Sequence, residues 1–76
     1  MIYLTGTLQE VIAAEARISL NCGFPSNGTV RWAIPRRTNQ GIWLIEKPVT
    51  YNQFTQEQMM QGVAASEIEC DPIWEG

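Results

Sequence analysis

One helix, bounded by a clear start signal and a clear stop signal, constrains the fold of this chain more than any other feature. Thr7-Leu8-Gln9-Glu10 forms a capping box, in which Thr7 accepts from the amide of Glu10 and Glu10 accepts from the amide of Thr7. Gly23 suits the left-handed position that follows a helix, Phe24 can make the hydrophobic contact after it, and Pro25 prevents continuation. Between these signals the apolar side chains share one arc of the helix: Leu8, Val11, Ile12, Ala14, Ile18 and Cys22. The sequence therefore predicts a helix from Leu8 to about Cys22 that buries one face.

Two further segments before residue 35 have the pattern of strands. Residues 2–5 form a short β-branched and aromatic run that Gly6 ends. Residues 29–34 alternate, with the apolar set Val30, Trp32 and Ile34 on one face. Pro35 ends this second strand or confines it to an edge. Both segments need a partner strand to satisfy their backbone groups.

That partner is predicted just after a polar loop over residues 36–41. Ile42-Trp43-Leu44-Ile45 begins a strand that Pro48 stops, and the loop is short enough for an antiparallel hairpin. An unbroken apolar run is typical of a strand that is covered on both faces. We therefore expect this strand near the middle of the sheet.

The last third of the chain predicts a second, shorter helix and a final strand. Thr55 and Gln58 form another capping box, and Phe54 can pack against Met59 as a hydrophobic staple, so a helix should span residues 56–63. Gly62 weakens the end of that helix. Ile68 to Cys70 form the last strand, before Asp71-Pro72 breaks it.

The element order is therefore β-α-β-β-α-β within a single α+β domain over residues 1–76. An antiparallel sheet with two helices on one face, in a ferredoxin-like arrangement, fits this order. The alternative is a three-stranded sheet that carries one long helix, with the C-terminal segment lying over it. A chain of 76 residues has room for one core only.

Composition excludes several chemistries and compartments. The chain has no histidine and two cysteines, which removes histidine acid–base catalysis, histidine zinc sites and disulfide-rich scaffolds. It has neither a run long enough to cross a bilayer nor the pattern of a signal peptide, so we expect a cytoplasmic protein with reduced thiols and no membrane partner.

Charge is divided unevenly along the chain, whose net charge is −3. Residues 1–48 carry five basic and three acidic side chains, whereas residues 49–76 carry five acidic side chains and no basic one. One interpretation is that the acidic C-terminal part lies near the basic hairpin and neutralises it. The other is that the protein has two separate electrostatic faces for partners.

No set of residues has the pattern of a catalytic or metal site. Cys22 is placed at a helix C-terminus and Cys70 among carboxylates, and both settings disfavour a thiolate nucleophile. Glu67, Glu69 and Asp71 line one strand face, which is typical of a solvated acidic edge, although a hard cation is an alternative occupant. We expect no enzymatic activity, no cofactor and no metal.

Glu15 falls inside the apolar arc of the first helix. Either the arc frays toward solvent at this position, or Glu15 pairs with an arginine such as Arg31. A buried carboxylate with a functional role is the remaining alternative.

The candidate binding residues cluster around the predicted hairpin: Arg31, Trp32, Arg36, Arg37 and Trp43. Arginine and tryptophan are enriched at protein–protein hot spots, so a protein interface is one interpretation. Aromatic and arginine side chains on a sheet also stack single-stranded bases, but an acidic chain without an RNP motif argues against nucleic acid. The alternative is a purely structural role, in which both tryptophans pack beneath the helices.

Residues 21–25, 28–35, 41–48 and 54–60 together resemble short uncharacterised proteins of tailed phages and prophages. The resemblance implies a phage-encoded accessory protein that is located in the producing or host bacterial cell or in the virion. We therefore expect a non-catalytic protein-binding domain, as a virion or tail accessory piece. Its partner would be a virion component or a host protein, and self-association is compatible with this role. The alternatives are a soluble inhibitor of a host defence protein and a binder of single-stranded nucleic acid.

Overall fold

The computed structural model of the chain describes residues 1–23, 33–48 and 54–76. Within them lie two helices and a four-stranded sheet in the order β2-β3-β1-β4 with antiparallel neighbours, which confirms the predicted α+β class. The elements in chain order are β1 (Ile2–Gly6), α1 (Leu8–Asn21), β2 (Arg36–Arg37), β3 (Trp43–Glu46), α2 (Gln56–Met60) and β4 (Ser66–Glu69).

The domain is nevertheless not a regular ferredoxin-like fold. β2 has only two residues. The C-terminal segment, residues 71–76, pairs with the residue that follows β2 through a bridge between Thr38 and Trp74. The protein thus combines the predicted four-stranded sheet with one feature of the alternative, a C-terminal segment that lies against the sheet.

Helix α1 begins and ends where its signals predict. Both capping-box bonds are present, and the amide of Gly23, which has a φ of +78°, donates to the Leu20 carbonyl. The predicted apolar arc is wrong at one edge, because Leu8 and Ile12 are 38% and 41% exposed. Among the described elements, α1 packs on β1, β3 and α2. Leu8 and Ile12 lie in the first two turns of α1, whereas Ser19, at a similar angle farther along the helix, is 4% exposed, so burial on this edge begins after Ile12.

We expect the first capping box to be measurable as stability. Thr7→Ala removes the oxygen that accepts from the Glu10 amide at 3.1 Å, and should lower the free energy of unfolding by about 0.5–2 kcal/mol. Urea unfolding followed by circular dichroism at the helical band measures this loss. Thr7→Ser keeps the hydroxyl and is the control, so an equal loss in both variants would contradict the assignment.

The core lies between the two helices and one face of the sheet. Its fully buried side chains include Leu4 of β1, Ile45 of β3, and Val11 and Ile18 of α1, with Met59 of α2 beside them. Leu44, the neighbour of Ile45, is also buried, with 2% of its surface exposed. Because consecutive strand residues face opposite ways, β3 is covered on both faces, and its place between β2 and β1 confirms the predicted central position.

The hairpin differs from its prediction at the first strand. Arg36 and Arg37, expected in a loop, pair with Leu44 and Trp43 as strand β2, which begins after Pro35 instead of ending before it. Of the predicted strand over 29–34, the described residues 33 and 34 have no strand structure, and the others lie outside the described residues.

A tight turn then joins β2 to β3. The Thr38 amide donates to the Ile42 carbonyl at 2.9 Å, and the Thr38 hydroxyl accepts from the amides of Gln40 and Ile42. Gly41 has a φ of +82°, a conformation that side chains with a Cβ rarely adopt. The turn therefore occupies fewer residues than the predicted polar loop, which leaves both arginines in the sheet.

The second helix and the last strand also have different bounds from those predicted. The Thr55–Gln58 capping box is present, but α2 ends at Met60 because the chain turns at Gly62, whose φ is +76°. The side-chain amide of Asn21, in α1, donates to the backbone carbonyls of Met59 and Gln61 and so binds this helix end. β4 starts two residues before Ile68 and ends before Cys70, because its register follows β1.

A polar cluster joins the ends of β3, α2 and β4. The Lys47 ammonium donates to Gln56 and to Glu67, and the Gln56 amide donates to the same Glu67 carboxylate at 2.7 Å. The hydrogen bond from Lys47 lowers the pKa of Glu67 below its ordinary value of 4.5, with burial opposing and Gln56 assisting. The folded state therefore favours the ionised form of Glu67.

This lowered pKa predicts a pH dependence with a definite sign. The contribution of Glu67 is fully present above pH 4.5, the ordinary pKa, and is lost as the pH falls through the lower pKa of the folded state. The thermal midpoint of the wild-type protein should exceed that of Glu67→Gln at neutral pH. The difference should shrink as the pH falls below 4.5 and through the lower pKa of the folded state. A difference that stays constant across this range would contradict the coupling.

Candidate functional site

The face of the sheet opposite the helices is the candidate site, and we call it the outer face. The register of the strands places on it the residues that face away from Leu4 and Ile45. These residues are Tyr3, Thr5, Arg36, Leu44, Glu46, Ser66 and Ile68. The outer face therefore mixes apolar side chains with one basic and one acidic side chain.

The C-terminal segment crosses this face from the β4 edge to the β2 edge. Its backbone pairs with the chain at β2 through two hydrogen bonds, from the Asn39 amide to the Ile73 carbonyl at 2.9 Å and from the Glu75 amide to the Arg37 carbonyl at 3.0 Å. The segment thus extends the sheet by a short antiparallel pairing beyond β2.

Trp74 is the side chain by which this segment contacts the outer face. Its ring lies 5.7 Å from the ring of Tyr3 at 77°, an edge-to-face contact. The guanidinium carbon of Arg36 lies 4.2 Å from the centre of the Trp74 ring. Tyr3 and Leu44, which belong to the same hollow as Trp74, are thereby buried.

The two arginines of β2 have different surroundings, because neighbouring strand residues face opposite ways. Arg36 lies on the outer face over Trp74 and is exposed. Arg37 lies on the other face, where its guanidinium packs over Gly41 and lies 3.5 Å from the Glu75 carboxylate. The Arg37–Glu75 pair confirms the interpretation that the acidic C-terminal part lies near the basic hairpin.

The C-terminal segment separates two hollows on the outer face. The larger has a volume of about 540 Å³, with Arg36 and Trp74 on one side and Glu46 in the same lining. Ile34, which is 75% exposed, also lines it. The smaller, of about 240 Å³, lies between the β2–β3 turn and residues 70–73. Both are shallow surface features of a size that suits one side chain or a short peptide.

Arg37 pairs directly with Trp43 across the sheet, and both lie on the face opposite to that of Arg36. Trp43 is half-buried and packs against the core, in agreement with the alternative that gave it a packing role. Arg31 and Trp32 lie outside the described residues, and so does the suggested Glu15–Arg31 pair. Of the three predicted site residues within the described ranges, Arg36 is the one on the outer face.

Sequence reasoning missed Trp74 as a site residue and counted Glu75 only within the acidic C-terminal part, although these two residues contact the arginines of β2. Their only signal was the presence of an aromatic and an acidic residue after the Asp71-Pro72 break. A strand pattern needs several alternating residues, and this segment is too short to show one.

Three titratable residues outside the outer face are buried or half-buried: Cys22, Cys70 and Glu15. Cys22 is buried and burial raises the pKa of its thiol, while Cys70 is half-buried, and neither forms a disulfide. Glu15 is 6% exposed, so the interpretation that the apolar arc frays at this residue is wrong. Within residues 1–23, 33–48 and 54–76, no three acidic, cysteine or histidine side chains are close enough to hold a metal ion.

Neither described helix combines the length and apolar character that crossing a bilayer requires. No protein-family model matches the chain, and no curated protein or solved structure matches it. The outer face must therefore be interpreted from its own geometry.

Proposed function

We propose that this chain is a non-catalytic protein-binding domain that contacts its partner with the outer face. On the basis of the sequence resemblance, its role is that of a phage-encoded virion or tail accessory protein. The observation that carries the binding function is the contact of the Arg36 guanidinium with the Trp74 ring, beside the exposed Ile34.

The Arg36–Trp74 pair has the properties of a binding hot spot. Stacking on an aromatic ring holds a guanidinium in place, so less side-chain entropy is lost when it binds a carboxylate. Arg36 is exposed while its guanidinium lies over the Trp74 ring, so a partner can reach it. Ile34 and the larger hollow beside Arg36 supply the apolar contact area that an anchor residue of the partner needs.

The two other roles differ in what they require of this face. An inhibitor of a host protein would use the same residues against a soluble enzyme instead of a particle. A binder of single-stranded nucleic acid would need a basic groove, whereas Glu46 lines the larger hollow and Glu75 lies beside Arg37. The charges of the described residues therefore favour a protein partner.

The test is capture of a partner from extracts of the natural host or from phage particles. Arg36→Glu should reduce capture at least about tenfold, which corresponds to the loss of one hot-spot residue. Arg17→Glu makes the same charge change on α1, away from the outer face, and should leave capture unchanged. Circular dichroism spectra of both variants should match that of the wild-type protein.

The simultaneous change of Arg36 and Arg37 to glutamate is a less specific test. A glutamate at position 37 would face the Glu75 carboxylate and repel the C-terminal segment. The double variant should also lose capture, but Arg36→Glu alone isolates the exposed guanidinium. Undiminished capture by Arg36→Glu would remove the outer face from consideration.

Two further measurements distinguish the roles. A virion piece co-purifies with particles, whereas an inhibitor captures one host enzyme as a soluble complex. Salt-sensitive retention of labelled single strands, with quenching of tryptophan fluorescence, would instead support the nucleic-acid alternative and contradict the proposal.

A further inference from the structure

We propose that the C-terminal segment is an internal substitute for the partner's binding segment. On this inference, the partner presents an extended segment in which an aromatic residue is followed directly by a carboxylate. That segment displaces residues 71–76 and pairs with β2 in antiparallel orientation. The inference rests on the proposed protein-binding function but revises its contact, because the partner's aromatic residue replaces Trp74 over Arg36 and the partner's carboxylate meets Arg37.

The backbone of β2 provides the first part of the site. β2 is an edge strand among the described elements, and the C-terminal segment already bonds to its Arg37 carbonyl through the Glu75 amide and to the following turn through the Asn39–Ile73 hydrogen bond. An extended peptide that adds to a sheet edge gains affinity from such main-chain bonds. A partner strand can make the same bonds only where the C-terminal segment has left.

The side chains of Trp74 and Glu75 show which partner residues fit. Trp74 fills the place between Tyr3 and Arg36 on the outer face, while Glu75 meets Arg37 on the opposite face. Adjacent residues of an extended segment point to opposite faces. An aromatic residue followed by an acidic one therefore satisfies both arginines in a single pairing register.

The attachment of the segment is weak enough for exchange. The side chains of Arg37 and Glu75 are 50% and 57% exposed, so water screens their ion pair. Ile73 is 70% exposed, and Glu75 and Gly76 are also exposed, which leaves Trp74 as the one half-buried anchor of residues 73–76. Tyr3 and Leu44 lie beneath this anchor, so the occupant that replaces it must again cover them.

A labelled peptide with the sequence of residues 71–76, Asp-Pro-Ile-Trp-Glu-Gly, tests the site. The full-length Trp74→Ala chain has lost its own anchor and should bind this peptide in a fluorescence anisotropy titration. The wild-type chain should bind it at least about tenfold more weakly, because its own segment competes at high effective concentration. A peptide with alanine in place of tryptophan should bind neither chain.

A charge exchange between Arg37 and the peptide tests whether the residue after the aromatic one must be a carboxylate. Arg37→Glu, added to Trp74→Ala, should reduce binding of the peptide by a factor of several. A peptide with lysine in place of glutamate should regain that loss, whereas a merely apolar contact would show no such rescue. Equal binding of both peptides by both chains would overturn the assignment of a carboxylate.

Hydrogen exchange of the wild-type protein keeps the inference testable if Trp74→Ala does not fold. The amides of Asn39 and Glu75 should exchange much faster than those of the β1–β3 pairing, because they report opening of the C-terminal segment. Equal protection of both sets would show a segment that does not open separately, and the inference would fail.

The outcomes separate this inference from the proposed function. If the wild-type protein captures a partner that excess peptide does not release, the protein-binding function stands and the inference is wrong. If a folded Trp74→Ala chain fails to bind the peptide, the inference is also wrong. A mixed dimer of this variant with the wild-type chain in light scattering would identify a second copy as the occupant and overturn the proposed partner.

Discussion

Ile45→Ala should lower the free energy of unfolding by about 2–5 kcal/mol. Ile45 is 1% exposed and lies in the core cluster with Leu4 and Val11. It sits on β3, which is bonded to β1 on one side and to β2 on the other, so the surrounding backbone cannot collapse into the space left by the lost atoms. For a domain of this size, such a loss is a large share of a total stability of roughly 5–15 kcal/mol.

The matched control is Ile34→Ala, which removes the same atoms from a side chain that is 75% exposed. It should change stability by no more than about 0.5 kcal/mol. Urea unfolding followed by circular dichroism measures both variants under identical conditions. Equal losses would contradict the assignment of Ile45 to the core and of Ile34 to the surface.

Local chemistry was sufficient to predict the elements that dominate this core. The capping box at Thr7 and the turn at Gly23 are local signals that mark both ends of α1. The apolar run around Leu44 and Ile45 indicates double burial because no polar residue interrupts it. These features depend on residues that are close together in the chain.

The sheet edges could not be predicted in the same way, because distant pairing decides them. Arg36 and Arg37 have a polar pattern, yet they form a strand because β3 offers free backbone groups beside them. β4 is exposed along all four of its residues, so no hydrophobic alternation marks its bounds. Register with β1 sets those bounds instead.

The candidate site was only partly predictable for the same reason. Grouping Arg36 with Arg37 assumed a loop, in which both side chains can approach one partner. In a strand the two side chains diverge, and each meets a different residue of the C-terminal segment. Trp74 belongs to the site because it contacts Tyr3 and Arg36, and no local sequence pattern around residue 74 predicts those contacts.

Trp74→Ala should lower the free energy of unfolding by about 1–3 kcal/mol. The variant loses the edge-to-face contact with Tyr3 at 5.7 Å and the stacking of Arg36 at 4.2 Å. It also removes the side chain that contacts Tyr3 on the outer face, without opening the core on the helix side. The expected loss is therefore smaller than for Ile45→Ala, although alanine replaces a larger side chain.

A double-mutant cycle isolates the part of this loss that belongs to the stacked pair. Arg36→Ala and Trp74→Ala, alone and together, should give a coupling energy of about 0.5–1 kcal/mol by urea unfolding. The matched cycle of Arg37→Ala and Glu75→Ala should give between about 0 and 1 kcal/mol and should weaken with salt, because that pair is exposed. Additive losses in the Arg36–Trp74 cycle would show that the indole ring holds no guanidinium. The feature on which the proposed binding function depends would then be absent.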